Sequence, residues 1–370
     1  GGFELKSKRF TVNLAPAETR KDTTAVDLPI ALGVLAVNGS LDASLLQNGM
    51  WVGELALDGQ VRPVRGVLSM TQLAHEMGLS YIVVPEENAA EAALVGGIEI
   101  RTARSLTQVV ACLTGRDVWP EVPCRTFMEQ NAGPLEFDLQ DVRGQVVARR
   151  CLEIAAAGGH NLLYVGPPGS GKSMLAQRLP GILPPLSFQE ALDCTRIYSV
   201  AGLLDRVRLL SARPFRAPHH TISIPGLVGG GIGPRPGEIS LCHHGVLFLD
   251  ELLEFPRNTL EALRQPMEDR RITITRAQGT ITFPCSFQVV GAMNPCPCGY
   301  WGSQIRNCIC SPASVARYRA RLSGPLQDRF DLQVEVPALR YADLKNCPAG
   351  EPSSDVRQRV LAARAKQAVR

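Results

Sequence analysis

The chain has 370 residues, 45% of them hydrophobic and 20% charged, with a formal net charge of +4. It is long enough for two domains, each with a sizeable core, and its charge is too weak to mark a nucleic-acid binder without a local basic surface. The longest apolar run, Leu28–Val37, is too short to span a bilayer, and no signal peptide is visible. No membrane role is expected.

Before residue 115, strand-like runs (FTVNLA, VGELAL, YIVVP) alternate with apolar helical stretches, which reads as an α/β or α+β domain over residues 1–115. The Gly-Gly start, with no Met, is expected to reflect a trimmed or partly ordered N-terminus. Residues 116–137 fall largely in GRDVWPEVPCRTFMEQNAGP, proline-rich and without periodicity, and read as a linker. A second domain is expected over 138–340. It opens with DVRGQVVARRCLEIAAAGG, helical in spacing and capped at Gly158-Gly159. The strand NLLYV follows, then a glycine loop and another helix. More than seventy residues separate Ser173 from the next acidic strand. Within them, IPGLVGGGIGPRPG reads as a loop insertion.

The glycine loop carries the first chemistry. Gly166, Pro167, Pro168, Gly169, Ser170, Gly171, Lys172 and Ser173 fit G-x-x-x-x-G-K-S between a strand and a helix. Backbone N–H groups of such a loop form a nest for phosphate oxygens, so ATP is the expected ligand. Lys172 is expected to reach the β- and γ-phosphates, and the Ser173 hydroxyl to ligate Mg²⁺. GVLFLDEL supplies a strand apolar at four consecutive positions, suited to burial on both faces, with Asp250 and Glu251 at its C-terminal end. Asp250 is assigned to Mg²⁺ and Glu251 to polarising the attacking water; exposed acids at a strand end are the plainer alternative. FQVVGAMNP ends at Asn294, whose amide either orients that water or merely makes a turn. In RLSGPLQDRFDLQVEVP, Arg329 is either an ordinary partner of Asp328 or Asp331, or a guanidinium offered to a neighbouring subunit's γ-phosphate. The latter reading requires a ring or filament.

Three further clusters stand out. DRRITITRAQGTITFP reads as a β-hairpin with Arg276 and Gln278 near its tip. In a ring of subunits Arg276 would grip phosphates without reading sequence; a surface hairpin with an incidental arginine is the plainer alternative. In RPFRAPHHTIS, Arg216, His219 and His220 are candidate DNA contacts. Adjacent histidines in a strand point to opposite faces and chelate poorly, so packing or hydrogen bonding is favoured there and at His243-His244. Eleven cysteines in a chain with a phosphate loop point to the reducing cytosol, hence to a cytoplasmic protein, where clustered cysteines more often bind metal. Cys296, Cys298, Cys308 and Cys310 form two C-x-C pairs within fifteen residues and suit a structural, tetrahedral Zn²⁺ with no open position; four unliganded cysteines are the alternative.

The segments quoted from residues 138–340, together with GEISLCHHGVLFLDELLEF, LEALRQPMEDRRITITRAQG and GAMNPCPCGY, closely resemble the ComM/YifB family of magnesium-chelatase-like AAA+ ATPases. The resemblance implies Walker A at Gly166–Ser173, Walker B at Asp250–Glu251, sensor 1 at Asn294 and an arginine finger at Arg329. It further implies a homohexameric DNA helicase acting on single-stranded and branched DNA, promoting branch migration during natural transformation. The main rival is a chelatase-type motor subunit acting through a partner protein, and a third reading is an ATP-controlled scaffold with no translocation. GELALDGQVRPVRGVLSMTQLAHEMG, VVPEEN and KDTTAVDLPIALGVLA resemble the Lon protease domain, an α/β module. The resemblance places Ala25 at the nucleophile and Leu68 at the lysine, so proteolysis by that dyad is excluded. The front of this domain is expected to be truncated. Residues 341–370 would begin the family's helical lid, whose remainder, with sensor 2, is expected to be missing.

Overall fold

Alternation of side chains decides both sheets of the protein. The computed structural model describes residue 3 and residues 9–14, 24–122, 137–204, 209–231, 235–276, 279–340 and 347–369. Two units emerge. One comprises Gly1–Glu129 with Thr195–Leu210 and Arg276–Gly279; the other comprises Gln130–Cys194, Ser211–Thr275 and Thr280–Arg370.

The first unit holds a parallel sheet of β1 (Gly49–Trp51), β2 (Tyr81–Pro85) and β3 (Glu99–Ala103), with β2 in the middle. Every β2 residue is buried. Tyr81 and Val83 pack with Leu28, Leu32 and Leu35 of helix α1 (Asp27–Asn38), whereas Ile82 and Val84 join Val67 and Ala74 of α2 (Val67–Glu76). The period-2 side-chain alternation of a central strand thus serves two cores. The apolar run Leu28–Val37 lies inside α1, which ends at Gly39 with φ 81°. Of the other expected strands, FTVNLA forms none over its described residues, and VGELAL contributes only Glu54–Leu55, paired antiparallel with Val61–Arg62. Strand propensity without a partner edge does not make a strand.

The second unit carries five parallel strands. They are β4 (Leu162–Val165), β5 (Phe215–Arg216), β6 (Val246–Leu249), β9 (Gln288–Met293) and β10 (Leu332–Glu335), in the order β10-β4-β9-β6-β5. β7 (Arg271–Arg276) and β8 (Gly279–Pro284) form a separate two-stranded ribbon, as the hairpin reading expects. Leu162 and Tyr164 pack against α3 (Val146–Gly158) through Ala148, Leu152 and Ala155, while Leu163 enters the core on the other side. Leu152 is fully buried, so Leu152→Ala would cost about 2–5 kcal/mol. Gly159 caps α3 at φ 70°, left-handed backbone that glycine adopts without a Cβ penalty. Near the C-terminus, a helix at Ser353–Ala368 joins the same core through Val356 and Val360. Among the described residues, no helix is long and apolar enough to cross a membrane.

Strand order does the positioning. β9 lies between β4, which leads into the glycine loop, and β6, which leads into the acidic pair. Asn294, the first residue after β9, is therefore set between them.

Candidate nucleotide site

The loop after β4 opens a cavity of about 450 Å³ at the C-terminal ends of the strands, lined by Pro168–Met174, Asp250, Glu251 and Ala292–Asn294. Gly169 and Gly171 take φ 74° and 92°, and a Cβ at either would meet nothing within 4 Å. Gly166 is needed for a different reason: a Cβ there would stand 2.2 Å from the Val336 carbonyl oxygen. Lys172, 8% exposed, donates to the carbonyls of Gly166 (2.7 Å) and Pro167 (2.9 Å) and lies 3.4 Å from Asn294 Oδ1. Burial lowers its pKa, and the Asp250 charge opposes that shift. Ser173 Oγ donates to Asp250 Oδ2 (2.6 Å), and Asp250 Oδ1 accepts from the Glu251 N–H (2.9 Å). A hydroxyl and a carboxylate thus share one corner beside a cation and a nest of amides. That donor set fits Mg²⁺ with a polyphosphate.

Glu251 departs from ordinary backbone, at φ 49°. Its carboxylate lies 3.2 Å from His220 Nδ1, and the His220 ring stands edge-on to Phe255. The rings of His219 and His220 lie 4.0 Å apart, not on opposite faces as the strand reading expects. β5 ends at Arg216, and the chain is already turning at His220. Arg216 forms a two-pronged pair with Glu238, at 2.5 and 2.7 Å. Gln278 lies outside the described residues, and of Arg276 only the backbone, at the end of β7, is described.

Arg329 pairs with Glu268, not with Asp328 or Asp331. Asp331 instead accepts the Asn161 N–H (2.8 Å), and Asn161 Nδ2 donates to the Arg329 carbonyl (3.0 Å). Leu332 is level with Leu162 at the start of β4, and Glu335 with Val165 at its end. Arg329 precedes Leu332, so it stands at the end of the sheet opposite the cavity.

The four cysteines after Asn294 converge. Sγ of Cys296, Cys298 and Cys308 lie 3.4, 3.5 and 3.6 Å apart, and with Cys310 all four ligand atoms fall within 4.8 Å. Four sulfurs about 2.3 Å from one Zn²⁺ would stand about 3.8 Å apart, so the set fits a tetrahedral ion. N–H groups of Trp301 and Cys310 point at Cys296 and Cys308 sulfur, at 3.3 and 3.4 Å. Amides of Tyr300 and Ile309 stabilise the Cys298 thiolate and pull its pKa down to about 6.

Asp193, His243 and His244 also converge within 4.8 Å. His243 Nδ1, however, accepts the Ser286 N–H (2.9 Å), which leaves the proton of the neutral ring on Nε2 and no lone pair there for a cation. Burial drives its pKa down to about 4, with His244 adding to the shift and Glu190 opposing it. A hydrogen-bonding role accounts for this pair.

Motif spacing did not reveal Gln145. At φ 48° before α3, it donates to the Ser170 carbonyl (3.1 Å) and the Pro337 carbonyl (2.7 Å), holding the glycine loop to the sheet. No pattern signals such a residue, because its partners lie 25 and 192 positions away.

Residues 138–344 match the family described as magnesium chelatase, subunit ChlI, and residues 1–88 match subunit ChlI of Mg-chelatase. Competence protein ComM of Haemophilus influenzae is 47% identical over 98% of this chain and 71% of its own length. YifB of Escherichia coli (strain K12) is 47% identical over 99% of this chain and 71% of its own. The Holliday junction branch migration complex subunit RuvB of Prochlorococcus marinus is 28% identical over 58% of this chain and 47% of its own.

Proposed function

Because the chain belongs to the ComM/YifB family of magnesium-chelatase-like AAA+ ATPases, we propose that it is the motor of a homohexameric DNA translocase. The proposed task is branch migration of single-stranded and branched DNA during natural transformation and homologous recombination. The chain is an ATPase, and its relatives include a competence protein and, more distantly, a branch-migration subunit.

In this reading the loop amides of Gly166–Ser173 cradle the phosphates, and Lys172 exchanges its carbonyl partners for the β- and γ-phosphate oxygens. Ser173 and Asp250 would hold Mg²⁺, which neutralises phosphate charge when bound. Glu251 polarises the attacking water, and Asn294 orients it from between the loop and the acid pair. Arg329 completes the site of the next subunit. Its position carries the proposal: roughly 10 Å of strand separates the start of β10 from the level of the cavity, and Arg329 lies before that start. A guanidinium there serves a neighbour's γ-phosphate rather than its own chain's.

The ribbon tip at Arg276 and Gln278 is proposed to face the strand in a central pore, with Arg216, His219 and His220 as a second set of contacts. The first unit, proposed to be Lon-like over residues 1–115, is a collar without peptidase chemistry. Ala25 and Leu68, the positions of the lost dyad, are buried at 4% and 0% exposure. Residues 116–137 link it to the ATPase core at 138–340, and 341–370 begin the lid. Cys296, Cys298, Cys308 and Cys310 are proposed to hold structural zinc. The match to a magnesium chelatase subunit favours one second reading, a motor that acts through a protein partner in metal insertion. ATPase assays with forked DNA decide between them. Strong stimulation that fades steeply with salt is expected; indifference to DNA at low salt supports the second reading.

A further inference from the structure

The glycine loop is held on one side and open on the other. Gln145 ties Ser170 to the sheet, and Gly166 lies against the Val336 carbonyl. The opposite half, Pro168–Gly169, is exposed, and Gly169 has open space beside it. What meets Pro168 is the cysteine loop. Gly299, buried at φ 85°, lies so close that a Cβ there would stand 2.6 Å from Pro168 Cδ and 2.9 Å from Cγ. That same Cβ would be 3.8 Å from Asn294 Cγ. Gly299 directly follows Cys298, and its left-handed turn aims the next amides at the sulfurs. The base of the loop is fixed separately, by Arg319 Nε donating to the Pro295 carbonyl at 3.1 Å. One end of the loop is therefore anchored, and the other is set by how the four sulfurs are gathered.

We propose that the ion held by these cysteines is the brace of the nucleotide pocket: it presses Gly299 onto Pro168 and sets the affinity for nucleotide. The inference rests on the zinc assignment above and goes beyond it, since a staple for a surface loop needs no consequence at the phosphate loop. Without the ion, the sulfurs separate, Gly299 withdraws, and the exposed half of the loop loses its wall. Coupling between two sites is reciprocal, so nucleotide must tighten the ion by the same factor by which the ion tightens nucleotide.

The test uses the purified full chain. Zinc content is measured first. Zinc is then withdrawn with a zinc-selective chromophoric chelator, while circular dichroism confirms that the fold persists. Affinity for a fluorescent ADP analogue is expected to weaken about tenfold, within the usual span of such coupling. Saturating ADP is expected to raise the chelator concentration needed for half-release by the same factor. Gly299→Ala, strained at positive φ and crowded against Pro168, should keep its zinc yet bind the analogue more weakly, which distinguishes bracing from unfolding. Zinc present but nucleotide affinity unchanged on its removal would overturn the brace and leave the zinc assignment standing. No zinc in the native protein would remove both.

Discussion

Both units bury a parallel sheet on its two faces, yet the strand ends of the two sheets are used in opposite ways. In the first unit the charged groups that follow β2 and β3, Glu86 and Arg104, pair with each other in solvent. Two of its buried polar residues, Asn88 and Glu91, are satisfied by neighbours in the same unit. Glu91 accepts the Leu68 N–H (3.2 Å) and an N–H of Asn88 (3.2 Å), and Asn88 bonds both backbone groups of Val64 at 3.0 Å. In the second unit, Lys172, Asp250, Glu251 and Asn294 line one cavity that a ligand can fill. Layer architecture alone is therefore silent about chemistry; the loops at the strand ends carry it.

Breaking the second unit should give the largest effects. Arg329→Ala is expected to lower kcat by about a thousandfold or more while nucleotide binding stays close to unchanged. Glu251→Gln should lower kcat by roughly a hundred- to a thousandfold and retain bound ATP. Both are read by steady-state hydrolysis and equilibrium nucleotide binding, and persistent turnover in either variant would remove the assigned role. In the first unit the matching change is one of stability rather than rate. Leu68→Lys places an ammonium at a fully buried position and should cost about 3 kcal/mol or more in denaturant unfolding, with no peptidase activity appearing even alongside Ala25→Ser.

A pH effect sharpens the contrast. His243 is buried neutral with its pKa lowered from 6.5 to about 4, so the unfolded chain binds the extra proton between those values. Its contribution, on the order of 3 kcal/mol, is fully present above pH 6.5 and is lost as pH falls toward 4. His243→Asn keeps an acceptor for the Ser286 N–H and should flatten that part of the unfolding profile.

Much of the second unit was legible in the sequence because its signals are local. Gly166–Ser173 and the run into Asp250 name their own strand ends, and the four cysteines lie within one loop. The rest was hidden by distance or brevity. Phe215–Arg216 is a strand of two residues, too short for any period to register. The stacking of His219 on His220 depends on where that strand stops. Gln145 and Gly299 act through contacts that no spacing encodes. The opposite-face expectation for the histidines failed because it assumed a strand that the chain had already left. Arg329 was recognised as a candidate, but its distance from its own cavity follows only from the register of β10 on β4.

Subunit mixing tests the proposed shared site most directly. Lys172→Ala disables a chain's own pocket but keeps Arg329, whereas Arg329→Ala keeps the pocket but offers no guanidinium. Each variant alone should be close to inactive, and mixing them should restore a measurable fraction of ATP hydrolysis as wild-type pocket and wild-type Arg329 meet at common interfaces. Co-assembled variants that stay as inactive as their separate components would contradict the account.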